Sequence, residues 1–397
     1  MPRARSKLSK PNIRAKSRSR SKTNKQKTAN VTSNTLLTNI RNDLVTYINK
    51  VYSKYHTVDY KVLDNLREIF IKSNLRISNT IEGQYPLQIF HISEDGIIYD
   101  TEKKVNRMEM NYTLFKNALS YAKKHKLPIP TTTIYLWVSD THPYFLPDAD
   151  KKFPIMTYCS PANMDYILFP DDSFACLQIN QKYRGECKDF DYVKKLIIKN
   201  TTLKKIDKIY FKGTTTTDRQ SRLREDLEKI AMTDNRVIIK LDAWQSYEPL
   251  YVWSKYKWLL NFPGRYPWSN RLKYLFLMKS GVINVDLRTI GGDYVDEPYM
   301  TFINLIVKPD IDYINIHSTY NNKIRPGRHP EQKDLDIQYA ENKRVYNEII
   351  KRTESITPTD YNKMIKSSFD KANIINNDLI SFYIYNLILA NAKLIKK

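Results

Sequence analysis

The chain has 397 residues, of which 41% are hydrophobic, and its 65 Lys and Arg outnumber 42 Asp and Glu to give a net charge of +23. That length exceeds what a single core usually serves, so two domains plus a tail are expected. No stretch approaches the roughly 18 apolar residues of a membrane span, and the basic N-terminus lacks the apolar segment of a secretory signal. Leu394 to Lys397 do not form an endoplasmic-reticulum retention signal, and Cys159, Cys176 and Cys187 show neither a disulfide framework nor zinc spacing. A soluble protein of a reducing compartment, the cytoplasm, is expected, with one disulfide left open.

The charge is unevenly spread. Residues 1–42 hold twelve Lys or Arg and no acid, and removing those twelve from +23 leaves +11 for the remainder. A basic folded part suits an anionic ligand such as a nucleotide phosphate, a nucleic acid or a lipid surface. Residues 1–33, rich in Lys, Arg, Ser, Thr and Asn, offer little apolar surface to bury and are expected to be disordered. Such a tail serves either as a solubilising segment or as an electrostatic tether to nucleic acid or an acidic surface.

In chain order, spaced apolar residues predict helices near 35–50 and 59–74. Leu87 to Ile92 and Ile97 to Tyr99 flank Glu94-Asp95-Gly96, a hairpin pattern. A helix near 107–125 precedes the apolar run Thr132 to Val138, a buried strand that ends in a turn at Ser139-Asp140-Thr141-His142-Pro143. From there strands at 208–212, 236–241, 256–262 and 282–285 alternate with helices at 218–232 and 269–280. That rhythm predicts a parallel sheet with helices on its faces. Long helices are expected at 332–353 and 376–395, and no internal repeat is present.

Three places carry candidate chemistry. Gly213 and Thr214, in the loop between a strand and a helix, precede Arg219 and Arg222. A glycine, hydroxyls, a helix N-terminus and arginines together suit a phosphate, although a Thr- or Asp-capped helix explains the pattern equally plainly. Pro263-Gly264 to Ser269-Asn270-Arg271 repeats the device, with Arg271 in a first helical turn where a cation opposes the dipole unless an anion sits nearby. Asp140, closing a buried strand, is a general-base candidate or a turn aspartate, and His142 is an alternative base. Asp-x-Asp spacing of the kind that holds a divalent cation occurs at Asp148, Asp310 and Asp334. Repeated occurrences without a second carboxylate cluster give no metal site.

The chain resembles glycosyltransferase family 90, which holds capsule-associated, Rumi-type protein O-glucosyltransferase and lipopolysaccharide-modifying members. Tyr135 to Asp140 looks like the family's strand ending in a catalytic Asp, and Phe211-Lys212-Gly213-Thr214 like its first phosphate box. Tyr256 to Gly264, Ser269 to Leu277 and Ser280 to Ile283 form the longest similar stretch, and Lys308 to Tyr313 and a closing helix with Tyr383 and Tyr385 follow in order. Ser139 stands where the family usually has Arg, and Gln220 where it has another, so Arg219 or Arg222 must stand in.

The resemblance implies a GT-B-like α/β architecture, two Rossmann-like domains facing a cleft. Residues 34–200 would form the acceptor side, 201–330 the nucleotide-sugar side and 331–397 the C-terminal helices. It implies transfer of glucose or xylose from a UDP-sugar to a protein or glycan hydroxyl, with inversion, no cofactor and no metal. Asp140 would be the base, and Gly213, Thr214, Arg219 or Arg222, Ser269 and Arg271 would hold the donor. A basic nucleic-acid-binding protein and an inactive family member kept for binding are the alternatives. The Asn/Ile/Lys/Tyr-rich composition suggests an AT-rich source, and a virion or viral factory is the expected location if that source is viral.

Overall fold

A computed structural model of the chain describes residues 14–55, 87–99, 106–138, 153–178, 187–215, 222–242, 248–264, 269–290, 298–321 and 330–395. The strands in chain order are β1 (Leu87–Ser93), β2 (Gly96–Tyr99), β3 (Thr132–Trp137), β4 (Ile155–Thr157), β5 (Cys159–Pro161), β6 (Ile167–Leu168), β7 (Leu177–Gln178) and β8 (Cys187–Lys188). They continue with β9 (Ile206–Gly213), β10 (Val237–Leu241), β11 (Tyr256–Asn261), β12 (Gly281–Ile290), β13 (Tyr299–Thr301) and β14 (Ile314–Asn321).

Two five-stranded sheets result, ordered β2–β1–β3–β4–β6 and β10–β9–β11–β12–β14. In the first, the hairpin β1–β2 and the pair β1–β3 are antiparallel, while β3, β4 and β6 run parallel. Every pairing in the second is parallel. A parallel sheet must be covered on both faces. Ile209, Phe211, Leu260, Ile283, Val285 and Ile316 pack with the helices Leu223–Ala231 and Gln332–Ser355. Tyr210, Leu259 and Val282 alternate to the other face, where they join the core that also contains the first sheet's Ile134, Leu136 and Met156.

Gly281 opens β12 where only a bare backbone fits. A Cβ there would lie 2.3 Å from the Trp258 ring and 2.9 Å from Tyr361. This contact seats the helix Pro358–Ile374 on the second sheet. The last helix, Asn377–Ile395, returns to the first sheet and packs against β3 and the helices Asn106–Lys124 and Arg14–Tyr52. Among the described residues no helix is long and apolar enough to cross a membrane.

Several expectations change. The first helix begins at Arg14, so residues 14–33, expected to be disordered, are its first turns. The stretch has no Pro or Gly after Pro11 to break it. The helix expected at 218–232 starts at Leu223, because Arg222 takes a left-handed φ of 51°. That expected at 269–280 shrinks to Leu272–Leu275 followed by a 3₁₀ turn, which Lys279 ends at φ 50°. The helices Phe190–Asn200 and Pro358–Ile374 and the strand β14 had no counterpart in the sequence reading. Cys176 and Cys187 form a disulfide, with Cα atoms 5.1 Å apart, so the cysteines no longer argue for a reducing compartment. The helix expected at 59–74 lies outside the described residues.

Candidate active site

β9 and β11 end side by side, and the chain beyond each is tied by one arginine. Arg224, buried in the helix after β9, donates from Nη1 to the Thr214 carbonyl at 2.8 Å and from Nη2 to the Pro263 carbonyl. Arg271 approaches from the segment after β11 and donates to the Lys212 carbonyl at 3.0 Å. Both guanidiniums lie 5.3 Å from the Phe211 ring centre, and Arg271 also lies 4.9 Å from that of Trp253. Gly213 makes this closeness possible, since a Cβ there would sit 2.6 Å from the Phe211 ring.

The electrostatics are unbalanced. Desolvation, and then the like charge of Arg224, pushes the Arg271 pKa down. No described carboxylate forms an ion pair with Arg271. Lys212 adds a further cation at the same strand end and pairs with Asp242 at 3.0 Å. Two arginines gathered at the carboxyl ends of parallel strands put positive charge in the place where such sheets bind ligands, an arrangement suited to an anion.

The sequence-predicted residues are thus partly assembled. Gly213 and Thr214 lie beside Arg224, and Arg271 bonds the carbonyl of Lys212, next to Gly213. Ser269 accepts from the Arg271 backbone N–H at 3.3 Å, so it shapes the turn. Arg222 is exposed at the helix cap, and Arg224 reaches between the loops instead. The expected opposition between Arg271 and a helix dipole is not found, because Arg271 precedes a helix of only four residues. Arg219, Asp140, His142 and Asp148 lie outside the described residues. Asp312 accepts from Ser367 and Lys371 and Asp310 pairs with Arg352, which occupies one Asp-x-Asp pair structurally.

A chain of polar contacts joins this site to the strand that leads to Asp140. Arg107 donates to the carbonyl of Val138, just past β3, at 2.6 Å and lies 3.5 Å from Asp172. The neighbouring Asp171 takes two bonds of 2.8 Å from Lys273, which also donates to Ser173 at 2.6 Å. Lys273 is 2% exposed and lies two residues beyond Arg271. The sequence reading missed Arg107, Asp171, Arg224 and Lys273. For Arg224 a signal was present, a third arginine in the run from Arg219. For the others only the fold brings the partners together.

Residues 140–325 match the model of Glycosyl transferase family 90. This span begins at Asp140 and contains both loops that Arg224 bridges. No curated protein matches the chain.

Proposed function

We propose that this chain, a glycosyltransferase whose residues 140–325 belong to glycosyl transferase family 90, moves glucose or xylose from a UDP-sugar to an acceptor hydroxyl with inversion. The observation that carries the reading is the Arg224–Arg271 pair at the ends of β9 and β11, where Arg271 has no described carboxylate partner. The two sheets would be the halves of a GT-B architecture, with the second holding the nucleotide.

In this mechanism the Asp140 carboxylate takes the proton of the acceptor hydroxyl. The hydroxyl oxygen attacks the anomeric carbon from the face opposite the leaving group. The bond from that carbon to the phosphate oxygen breaks, and its electron pair leaves with UDP. Arg271 and Arg224, with Thr214 and either Arg219 or Arg222, would hold the diphosphate, and their charge would offset what develops on it. Gly213 would let the diphosphate approach the backbone, and Ser269 would hold the turn that presents Arg271. No metal is needed, because the arginines supply the positive charge. The acceptor is a protein or glycan hydroxyl.

Calorimetric titration with UDP in the presence of a chelator tests this reading. Binding should persist and should raise the melting temperature, as any ligand specific to the native state does. Binding that vanishes with the chelator and returns with manganese contradicts the metal-free mechanism.

A further inference from the structure

The second sheet carries a row of asparagines across three strands. Asn261 ends β11 opposite Asn284 of β12, which in turn lies opposite Asn315 of β14. Asn261 Nδ2 donates to Asn284 Oδ1 at 2.7 Å, and Asn284 Nδ2 donates to Asn315 Oδ1 at 2.8 Å. Two residues further along the same strands, and so on the same face, Asp286 lies opposite His317 with Oδ2 and Nδ1 3.2 Å apart. Ile283, Val285 and Ile316, which alternate with these residues, belong to the core on the other face.

This row begins beside the arginine pair. Asn261 lies two residues before Pro263, whose carbonyl receives Arg224. From β9, which carries the Lys212 carbonyl bound by Arg271, to β12 is two strand spacings, about 9.5 Å. One end of the row is unfinished. Asn261 is 2% exposed, and its Oδ1 has no hydrogen-bond partner among the described residues. A ladder whose only task was to join strands would close at that end. Asn284 is half-buried and the His317 side chain is 48% exposed, so the row is open rather than sealed.

We propose that Asn261, Asn284 and Asn315, with Asp286 and His317, form the subsite that reads the hydroxyls of the donor sugar. The inference rests on the reading that the arginine pair holds the diphosphate of a sugar nucleotide. Amides both donate and accept, and a carboxylate accepts, which matches a ring of hydroxyls that do both. The buried Asn261 Oδ1 accepts a hydrogen bond from one hydroxyl, and hydroxyls placed differently on another sugar leave row atoms unmatched. Discrimination of this kind is what a site built of hydrogen bonds gives.

The test titrates the full chain, and its Asn284→Ala and His317→Ala variants, with UDP, UDP-glucose, UDP-galactose and UDP-xylose. Wild type should bind UDP and should rank the sugars. Both variants should bind UDP within about twofold of wild type, and the spread among the sugars should shrink by about tenfold in Asn284→Ala and threefold in His317→Ala. Melting temperatures report folding, and half-exposed His317 gives a variant that keeps the fold if Asn284→Ala does not. An unchanged ranking in folded variants overturns the sugar subsite alone, as does a wild type that binds all four ligands equally. Loss of UDP binding in a folded variant assigns the row to the nucleotide and also overturns it. A wild type that binds no UDP overturns the diphosphate reading and the subsite with it.

Discussion

Arg271 holds a charge where the fold alone gives little reason for one. Its contacts to Phe211, Trp253 and the Lys212 carbonyl retain it, while desolvation and Arg224 oppose its charge. Arg271→Met keeps an unbranched apolar side chain against the two rings and removes the repulsion. The melting temperature of the unliganded variant should therefore hold or rise, while UDP affinity should fall by roughly 1.5–3 kcal/mol, the scale of a charge-assisted bond. A thermal melt and a titration on one preparation check both. Unchanged UDP affinity removes Arg271 from the donor site.

Lys205 gives a prediction that is independent of function. Its Nζ donates to the carbonyls of Ser254 and Met278, and burial with the nearby charge of Lys279 lowers its pKa from 10.5 to about 8. Below that value both folded and unfolded chains hold the proton, and the fold carries the full penalty. Between about 8 and 10.5 the unfolded chain holds more protons, so this lysine's contribution to stability rises with pH. Lys205→Met should flatten that part of the rise, read as the difference in urea midpoint between about pH 7.5 and pH 10. An identical rise in variant and wild type contradicts the assignment.

At the scale of elements, Lys273 links the segment that presents Arg271 to the turn of Asp171 and Ser173, close to the end of β3. Lys273→Met leaves the buried Asp171 carboxylate without its cation and should cost about 3–5 kcal/mol, recovered in part by adding Asp171→Leu. Urea denaturation of the single and double variants measures this. A single variant as stable as wild type excludes the pair as a structural link.

The elements also explain what the sequence could tell. β3, β9 and β11 were legible because buried parallel strands are apolar runs, and Gly213 and Pro263 mark where they stop. β14 was not, because Ile314-Asn315-Ile316-His317-Ser318 alternates polar side chains into a run that does not look buried on both faces. Of these, Asn315 and His317 belong to the asparagine row. Arg271 was singled out by its place beside a loop, although the helix invoked to explain it proved four residues long. Arg224 was passed over because its two carbonyl partners, at Thr214 and Pro263, are distant from one another in sequence.

Over the whole molecule, the two sheets share a core, and the final helix closes back on the first sheet. Ion-pair and backbone contacts then connect the strand leading to Asp140 with the segment carrying Arg271. In the proposed mechanism Asp140 supplies the base and the arginine pair holds UDP. A base acting on the acceptor contributes in the transition state and little to donor binding. The most direct measurement is UDP release from UDP-glucose and UDP-xylose, with and without a hydroxyl acceptor, by wild type and Asp140→Asn. Acceptor-dependent release should fall at least about 10²-fold in the variant, with UDP affinity within a few-fold of wild type and an unchanged melting temperature. A stable, UDP-binding Asp140→Asn variant that transfers at the wild-type rate contradicts the assignment of Asp140 and makes His142 the next base to test.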